Sequence, residues 1–506
     1  MAGKKLFGII YMSTTRLELM IVNLKTHELI ERVSSANFVQ TADKSKIYQH
    51  EMGKIIFSLS GFLQLMADYG VKAYKFWASQ QLIDNVTARY LSEQILLRSG
   101  VKVNWLNTSQ INYFRALSLM GHTKAFQSLS GRTAYLLYMG SAAVTLFKFS
   151  HQKFLQAWNI GLGYLELDQL AQALRNSAND PNEVLDDYIS SKLDYLKSEL
   201  AGGEPDTALV LQDVSALNNL YLPLHSRLTE LPYSLFSQEL QQAEEASTQY
   251  LCEHYQVEES LAGRILPGFL IARRLLSYTQ ASQLYLTRLN IMDGLAIQTE
   301  ADFGFTHKDF GLITQTSAEN IARLYIKEKA HRNLVRKFAL HIFDRLKKLH
   351  RLDSRERLLL GVAATISDIG NAISQHNHYH HSAYIMEANP LIGLSDQENT
   401  IVSEIARYHS SESPSSDQRH FLRLAPELQM IVAKLVAILR LADALDDSHQ
   451  QKIGKLTVSL KNDDLTLTVY SPQDLSLEKW AFSKKAQLFN ELYGIKPTLK
   501  QRRTEA

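Results

Sequence analysis

The chain has little cysteine, little net charge and no long apolar run. Its single cysteine, Cys252, excludes a disulfide framework and a thiolate zinc site, and suits a reducing compartment. A net charge of +2 supplies no global field for a polyanion, so an anion site has to be a local patch. No uninterrupted apolar stretch of about 18 residues occurs, which argues against a transmembrane helix. Met1-Ala2-Gly3-Lys4-Lys5 runs straight into a strand pattern, not into the apolar segment of a signal peptide. The expectation is a cytoplasmic protein with no membrane partner. No aromatic stacking motif, finger or basic zipper occurs, so no nucleic-acid partner is expected. What is present is ordinary globular composition, 45% hydrophobic and 21% charged. At 506 residues the chain is too long for one core and calls for three or four domains.

Hydrophobic alternation gives strands at 6–11, 17–22 and 29–33, then a helix near 49–69, a strand at 71–77, a helix at 86–99, a strand at 101–106 and a helix at 109–120. After a polar break near 122–132 the order restarts. Strands fall at 134–139, 144–149 and 154–161, followed by helices and by strands at 208–211 and 283–286. A repeated βββαβα unit points to two ribonuclease-H-like lobes. From about residue 319 the pattern turns helical, with His331, Leu334, Val335, Phe338, Ile342, Leu346 and Leu349 on one face. Further helices cover 358–369, 401–408 and 426–445. A hairpin closes this region, with strands at 455–460 and 465–470 flanking the turn Lys461-Asn462-Asp463-Asp464.

Two hairpin loops carry the most specific signal. Ile9-Ile10-Tyr11-Met12-Ser13-Thr14-Thr15 recurs in kind as Leu137-Tyr138-Met139-Gly140-Ser141-Ala142-Ala143. Both resemble the phosphate loops of the exopolyphosphatase/guanosine pentaphosphate phosphohydrolase (Ppx/GppA) family, which typically read I-D-x-G-S-N-S and V-D-x-G-G-G-S. The resemblance implies two ribonuclease-H-like (actin/sugar-kinase-like) lobes at 1–125 and 126–312. An all-helical HD-like domain at 313–452 and a small α+β module at 453–506 would follow. It also implies release of terminal phosphate from polyphosphate, or conversion of guanosine pentaphosphate to tetraphosphate, normally with Mg²⁺. Ser13, Thr14, Thr15, Gly140 and Ser141 are the phosphate-binding candidates, because small hydroxyls and a glycine let backbone amides approach an anion.

The acidic groups are missing. Tyr11 and Tyr138 stand at the family's aspartate positions, and Gln110 is the counterpart of its catalytic glutamate. A phenol with a pKa near 10 is neither a base at pH 7 nor a good metal ligand. Glutamine can orient a water but cannot take its proton. The run Thr287-Arg288-Leu289-Asn290-Ile291-Met292-Asp293-Gly294 puts Met292 where the family has an inward arginine. Three readings stay open. The chain is a degenerate member that binds polyphosphate or guanosine penta/tetraphosphate, or regulates a partner; an active exopolyphosphatase with relocated groups such as Asp293 or Glu18; or a structural partner of an active paralogue, or a homodimer.

In the helical region the resemblance to HD phosphohydrolases implies metal ligands at His331, Asp368 and Asp443. Ser367 replaces the histidine of the His-Asp pair, so tightly bound transition metal is expected to be substoichiometric. His376, His378, His380 and His381 precede Ala383-Tyr384-Ile385, and their alternation suits an extended segment. Ala406-Arg407-Tyr408-His409 matches an R-Y-H element of the family. The cationic run from Lys327 to Arg357 includes Arg332, Arg336 and Lys337 on the expected polar side of the first helix, a candidate polyanion patch.

Overall fold

Strands β1 (Leu6–Met12), β2 (Leu17–Asn23) and β3 (Glu28–Ser34) form a meander, and β4 (Tyr74–Ser79) and β5 (Val103–Leu106) add in parallel beyond β1. The sheet order is β3-β2-β1-β4-β5. In the computed structural model, residues 5–35, 38, 50–81, 83–174, 180–200, 206–306, 310–326 and 328–503 are described. Lys327 and Gln49, which the sequence reading used, lie outside them. The chain divides into two compact units, Met1–Asp309 and Phe310–Ala506.

β1 is buried on both faces, and alternation sorts its side chains. Ile10 and Met12 face helices Met52–Asp68 and Asn85–Ser99, while Phe7, Ile9 and Tyr11 face a second layer containing Ile111, Ile291, Met292 and Leu295. That layer pairs helix Thr108–Gly121 with helix Ile291–Asp302. After the second sheet the chain thus returns to complete the first lobe's core.

The second sheet repeats the plan with β6 (Thr133–Met139), β7 (Val144–Ser150), β8 (Lys153–Ile160), β9 (Ala208–Gln212), β10 (Leu228–Glu230) and β11 (Gln283–Thr287). Its order is β10-β11-β9-β6-β7-β8. Central β6 has an antiparallel neighbour on one side and a parallel one on the other, as β1 does. This is the duplicated ribonuclease-H-like architecture the βββαβα repeat predicts. β10, three residues at the edge, is an addition that alternation does not reveal. Both phosphate-loop candidates leave the ends of central strands and face one cleft.

The second unit is helical, with Gly311–Tyr325, Ala330–Arg345, Ser354–Ile366, His378–Ala388, Asp396–Tyr408 and Pro426–Ala444 around one apolar core. Val335, Phe338, Ile342 and Leu346 are buried there, as their helical spacing predicts. A three-stranded sheet ends the chain: β12 (Lys455–Lys461), β13 (Asp464–Tyr470) and β14 (Thr498–Arg502). Asn462 and Asp463 turn the β12–β13 hairpin at φ 47° and 64°, the left-handed pair such a two-residue turn requires. Among the described residues no helix is long and apolar enough to cross a membrane.

One contact in this unit has a definite pH signature. Arg355 Nε and Nη2 donate to Glu398 at 2.5 and 2.9 Å, and Glu398 also completes a capping box with Ser395. Burial disfavours the Glu398 carboxylate, but Arg355 and Ser395 overcome this and hold its pKa below the usual value. The folded pKa is depressed, so this stability is present above the unfolded value, about 4.3, and is lost as pH falls through the folded one. Arg355→Met is expected to cost about 1–2 kcal/mol at pH 7, with a smaller loss near pH 3.5. Urea denaturation at the two pH values measures it, and an equal loss at both would contradict the assignment.

Candidate functional site

The loop after β1 closes on itself. Ser13 N donates to Arg16 O at 2.9 Å, and Ser13 Oγ accepts the amides of Thr15 and Arg16 at 3.2 and 3.0 Å. The second loop does likewise, with Gly140 N donating to Ala143 O at 2.9 Å. A Cβ on Gly140 would lie 2.9 Å from the Tyr138 ring and 3.0 Å from Ala143 O, so the ring beneath the loop makes glycine the residue that fits. The loops meet through Thr14 Oγ1 and Ser141 Oγ, 3.0 Å apart.

Between them lies a cavity of about 150 Å³. Ser13, Thr14, Thr15, Gly140 and Ser141 all line it, with Tyr11 and Tyr138. Gln110 does not. It serves as the third residue of a capping box, its Oε1 accepting Asn107 N at 3.2 Å while Asn107 Oδ1 accepts Gln110 N at 2.8 Å. Gln110, the positional counterpart of the family's glutamate, is thus used by helix Thr108–Gly121 to satisfy its own N-terminus.

Arg115, four residues beyond Ile111, takes the inward place instead. It is 5% exposed, its Cζ sits 3.1 Å from the Tyr138 ring centroid, and its Nε and Nη1 have no hydrogen-bond partner. An unpaired buried guanidinium is costly unless an anion completes it. Arg16 and Arg264 also line the cavity, as do Tyr164 and Asp213. Burial raises the pKa of Tyr11 and Tyr138, against the pull of Arg115, so both phenols are neutral donors at physiological pH.

The two carboxylates weighed as relocated catalytic groups are engaged elsewhere. Glu18, opposite Tyr11 on β2, lines the cavity but faces Arg32 Nη2 at 3.3 Å and Arg16 Nη2 at 3.5 Å. Asp293 accepts Asn290 N at 2.9 Å in a capping box and pairs with His122 and Arg227 at 3.5 and 3.4 Å. Met292 is fully buried in the apolar layer beneath β1, and Arg288 donates to the Asn218 carbonyl. Mg²⁺ takes oxygen ligands, commonly one or two carboxylates with phosphate oxygens. With phenols at the aspartate positions, Glu18 held between guanidiniums and Asp213 the one remaining carboxylate among the described lining residues, this donor set fits it poorly.

In the helical unit the sequence-derived trio does converge. His331 Nε2 lies 3.4 Å from both Asp368 Oδ2 and Asp443 Oδ1, and its Nδ1 is 2.9 Å from Asp446 Oδ2. Burial opposes the imidazolium, but the three carboxylates prevail and its pKa is pushed up to about 12. The histidine segment is not extended: helix His378–Ala388 begins at His378 and turns it inward. His378 and His409 then approach the other face of Asp368. Burial and neighbouring His409 keep the His378 pKa below the usual range.

Lys485 Nζ meets Asp443 Oδ2 at 2.5 Å and Asp447 Oδ1 at 2.9 Å. Burial disfavours the Asp443 carboxylate, yet Lys485 and His331 hold its pKa below the ordinary range. Lys485→Met in chelator-treated protein is expected to cost about 3 kcal/mol, the lower end for orphaning a buried charge, because His331 remains beside Asp443. Adding Asp443→Asn should recover part of it. Urea denaturation of the single and double variants measures both, and a single variant as stable as wild type would contradict this role.

The polyanion patch needs correction. Arg332 is 6% exposed, beneath the surface, and Arg336 pairs with Glu319 at 2.6 Å. Of the three proposed cations, Lys337 alone is exposed. The Leu334–Phe338 turn places Arg332 close to the packed face, so the three do not form a continuous solvent stripe.

Comparison with known proteins places this architecture. The pattern of Ppx/GppA phosphatase, domain III, matches residues 313–488. An exopolyphosphatase from Cytophaga hutchinsonii superposes with a TM-score of 0.51 at 13% identity, over 59% of this chain and 98% of that one. An exopolyphosphatase-like protein gives 0.50 at 10% identity, over 59% and 99% of the two chains. The Ppx/GppA family member from Aquifex aeolicus gives 0.48 at 16% identity, over 60% and 99%. At these identities the structural likenesses speak to the fold, and the domain III match ties residues 313–488 to the Ppx/GppA phosphatases.

Proposed function

We propose that the cleft of the first unit binds the terminal phosphoryl group of polyphosphate, or of a phosphorylated guanosine nucleotide, without hydrolysing it. The observation that carries this reading is Arg115: buried, stacked on Tyr138, with two donor nitrogens unpartnered beside the hydroxyls of both loops. Guanidinium donors suit phosphate oxygens. The cavity, about 150 Å³, is smaller than pockets that enclose whole ligands, roughly 300–1,000 Å³, and so suits the end of a chain. Hydrolysis lacks support because, of the described carboxylates that line the cavity, Glu18 is held by guanidiniums and Asp213 remains, and one carboxylate cannot serve both as base and as Mg²⁺ ligand. Glu18 and Asp293, the carboxylates the sequence offers as relocated catalytic groups, are already paired with cations. A calorimetric titration with tripolyphosphate, beside an orthophosphate-release assay, tests the proposal. Binding without release supports it, and release at a rate typical of enzymes overturns it.

A further inference from the structure

Asp368 has two faces. Oδ2 is turned to His331, at 3.4 Å. Oδ1 is turned to His409 Nε2 at 3.3 Å and His378 Nε2 at 3.5 Å, and the two Nε2 atoms are 3.3 Å apart. These three atoms outline a nearly equilateral triangle. The edge of a tetrahedron around an ion with ligands at about 2.0–2.1 Å is about 3.3–3.4 Å.

The tautomers make the triangle chemically specific. His409 Nδ1 lies 2.7 Å from Ala406 O and His378 Nδ1 lies 3.4 Å from Gln375 O. A carbonyl only accepts, so each ring carries a hydrogen on Nδ1, and in its neutral form presents a lone pair at Nε2. With both rings neutral, two lone pairs and a carboxylate oxygen face one another, an arrangement that a cation stabilises. Tying the remote nitrogen to a carbonyl is also how metal-binding histidines are oriented.

The surrounding structure fixes each corner. Arg440 Nη1 donates to Tyr408 O at 3.1 Å and Glu412 O at 2.7 Å, bracing the segment that carries His409. Ser382 Oγ accepts Gly370 N at 2.9 Å and donates to Ser367 O at 2.5 Å, tying the Asp368 turn to the helix of His378. A Cβ on Gly370 would fall 2.0 Å from His378 O, so that turn and helix approach as closely as glycine allows. The His331–Asp368–Asp443 trio is a different case: Lys485 already supplies a cation to Asp443 there.

We infer that Asp368, His378 and His409 form a binding site for one divalent transition-metal ion of the zinc type, with a fourth position open to water. Two imidazoles and a carboxylate match zinc and its borderline neighbours. The side chains of His378 and Asp368 are 18% and 15% exposed, which gives the ion and a fourth ligand a route in. The inference reverses the expectation of metal loss drawn from Ser367. The missing histidine is not needed where His378 and His409 converge on the neighbouring aspartate from other elements. It is independent of the anion cavity in the first unit.

The test uses full-length protein stripped with a chelator and dialysed. Calorimetric titration with Zn²⁺ should show one equivalent per chain. His378→Ala and His409→Gln should each weaken it by more than the ~10–100-fold lost with an outer partner, while His376→Ala leaves it unchanged. Co²⁺ added to the wild-type protein reports the site without any substitution, since a four-coordinate nitrogen and oxygen shell gives intense visible bands. One equivalent of Zn²⁺ with such bands confirms the site. No stoichiometric binding, or binding equal in wild type and both ligand variants, overturns it and leaves a shared proton between the histidines.

Discussion

Arg115→Met is expected to lower tripolyphosphate affinity about 10–100-fold while making the ligand-free protein more stable. The affinity loss follows from removing charge-assisted hydrogen bonds inside a buried site, worth about 1.5–3 kcal/mol. The gain arises because an unpaired guanidinium is an uncompensated charge in the free protein, and an apolar chain of similar length removes that cost. Stacking on Tyr138 returns part of it to wild type, so the net gain should be about 1 kcal/mol. Opposite signs in the two measurements separate a ligand-binding arginine from a structural one. An arginine present only for stability would lower both.

The second large effect concerns turnover. Wild-type protein is expected to release orthophosphate at least about 10³-fold more slowly than an enzyme with a base and a metal in place, since general-base catalysis alone contributes about 10²–10⁴-fold. Tyr11→Asp, Tyr138→Asp or Gln110→Glu alone should recover nothing measurable, because groups that act as a unit are not additive. The structure sharpens this. Tyr11 and Tyr138 line the cavity, but Gln110 caps its helix, so a glutamate there would first have to leave the capping box. The combined Tyr11→Asp/Tyr138→Asp/Gln110→Glu variant is the least set with a prospect of Mg²⁺-dependent release. Robust release by the wild type would contradict this account.

How far the sequence reveals this molecule depends on whether a feature is local. The hairpins around Ser13 and Ser141 and the paired meanders follow from alternation and turn chemistry, which are properties of adjacent residues. The inward stripe Val335, Phe338, Ile342 is equally local. Strand β14 does not stand out in the sequence because its Thr-Leu-Lys-Gln-Arg run is mostly polar and pairs with a strand about thirty residues earlier. The capping role of Gln110 is legible in the sequence, since Asn107 followed three residues later by Gln110 is a capping-box spacing. Arg115 also left a trace, an arginine four residues from Ile111 and four from Leu119 in an otherwise apolar stripe. What it faces is decided by how two lobes pack, and no local pattern encodes that. The same holds for Asp368: its match was visible, but its partners His378 and His409 come from two other helical segments.

The central claim is that the cleft holds a phosphoryl group through Arg115 and does not cut it. One measurement addresses it most directly: calorimetric titration of wild type and Arg115→Met with tripolyphosphate and Mg²⁺, with orthophosphate assayed in the cell afterwards. The account predicts saturable binding to wild type, affinity about 10–100-fold weaker in the variant, and no orthophosphate above background in either. Equal binding by both proteins, or orthophosphate accumulating with wild type, would contradict it.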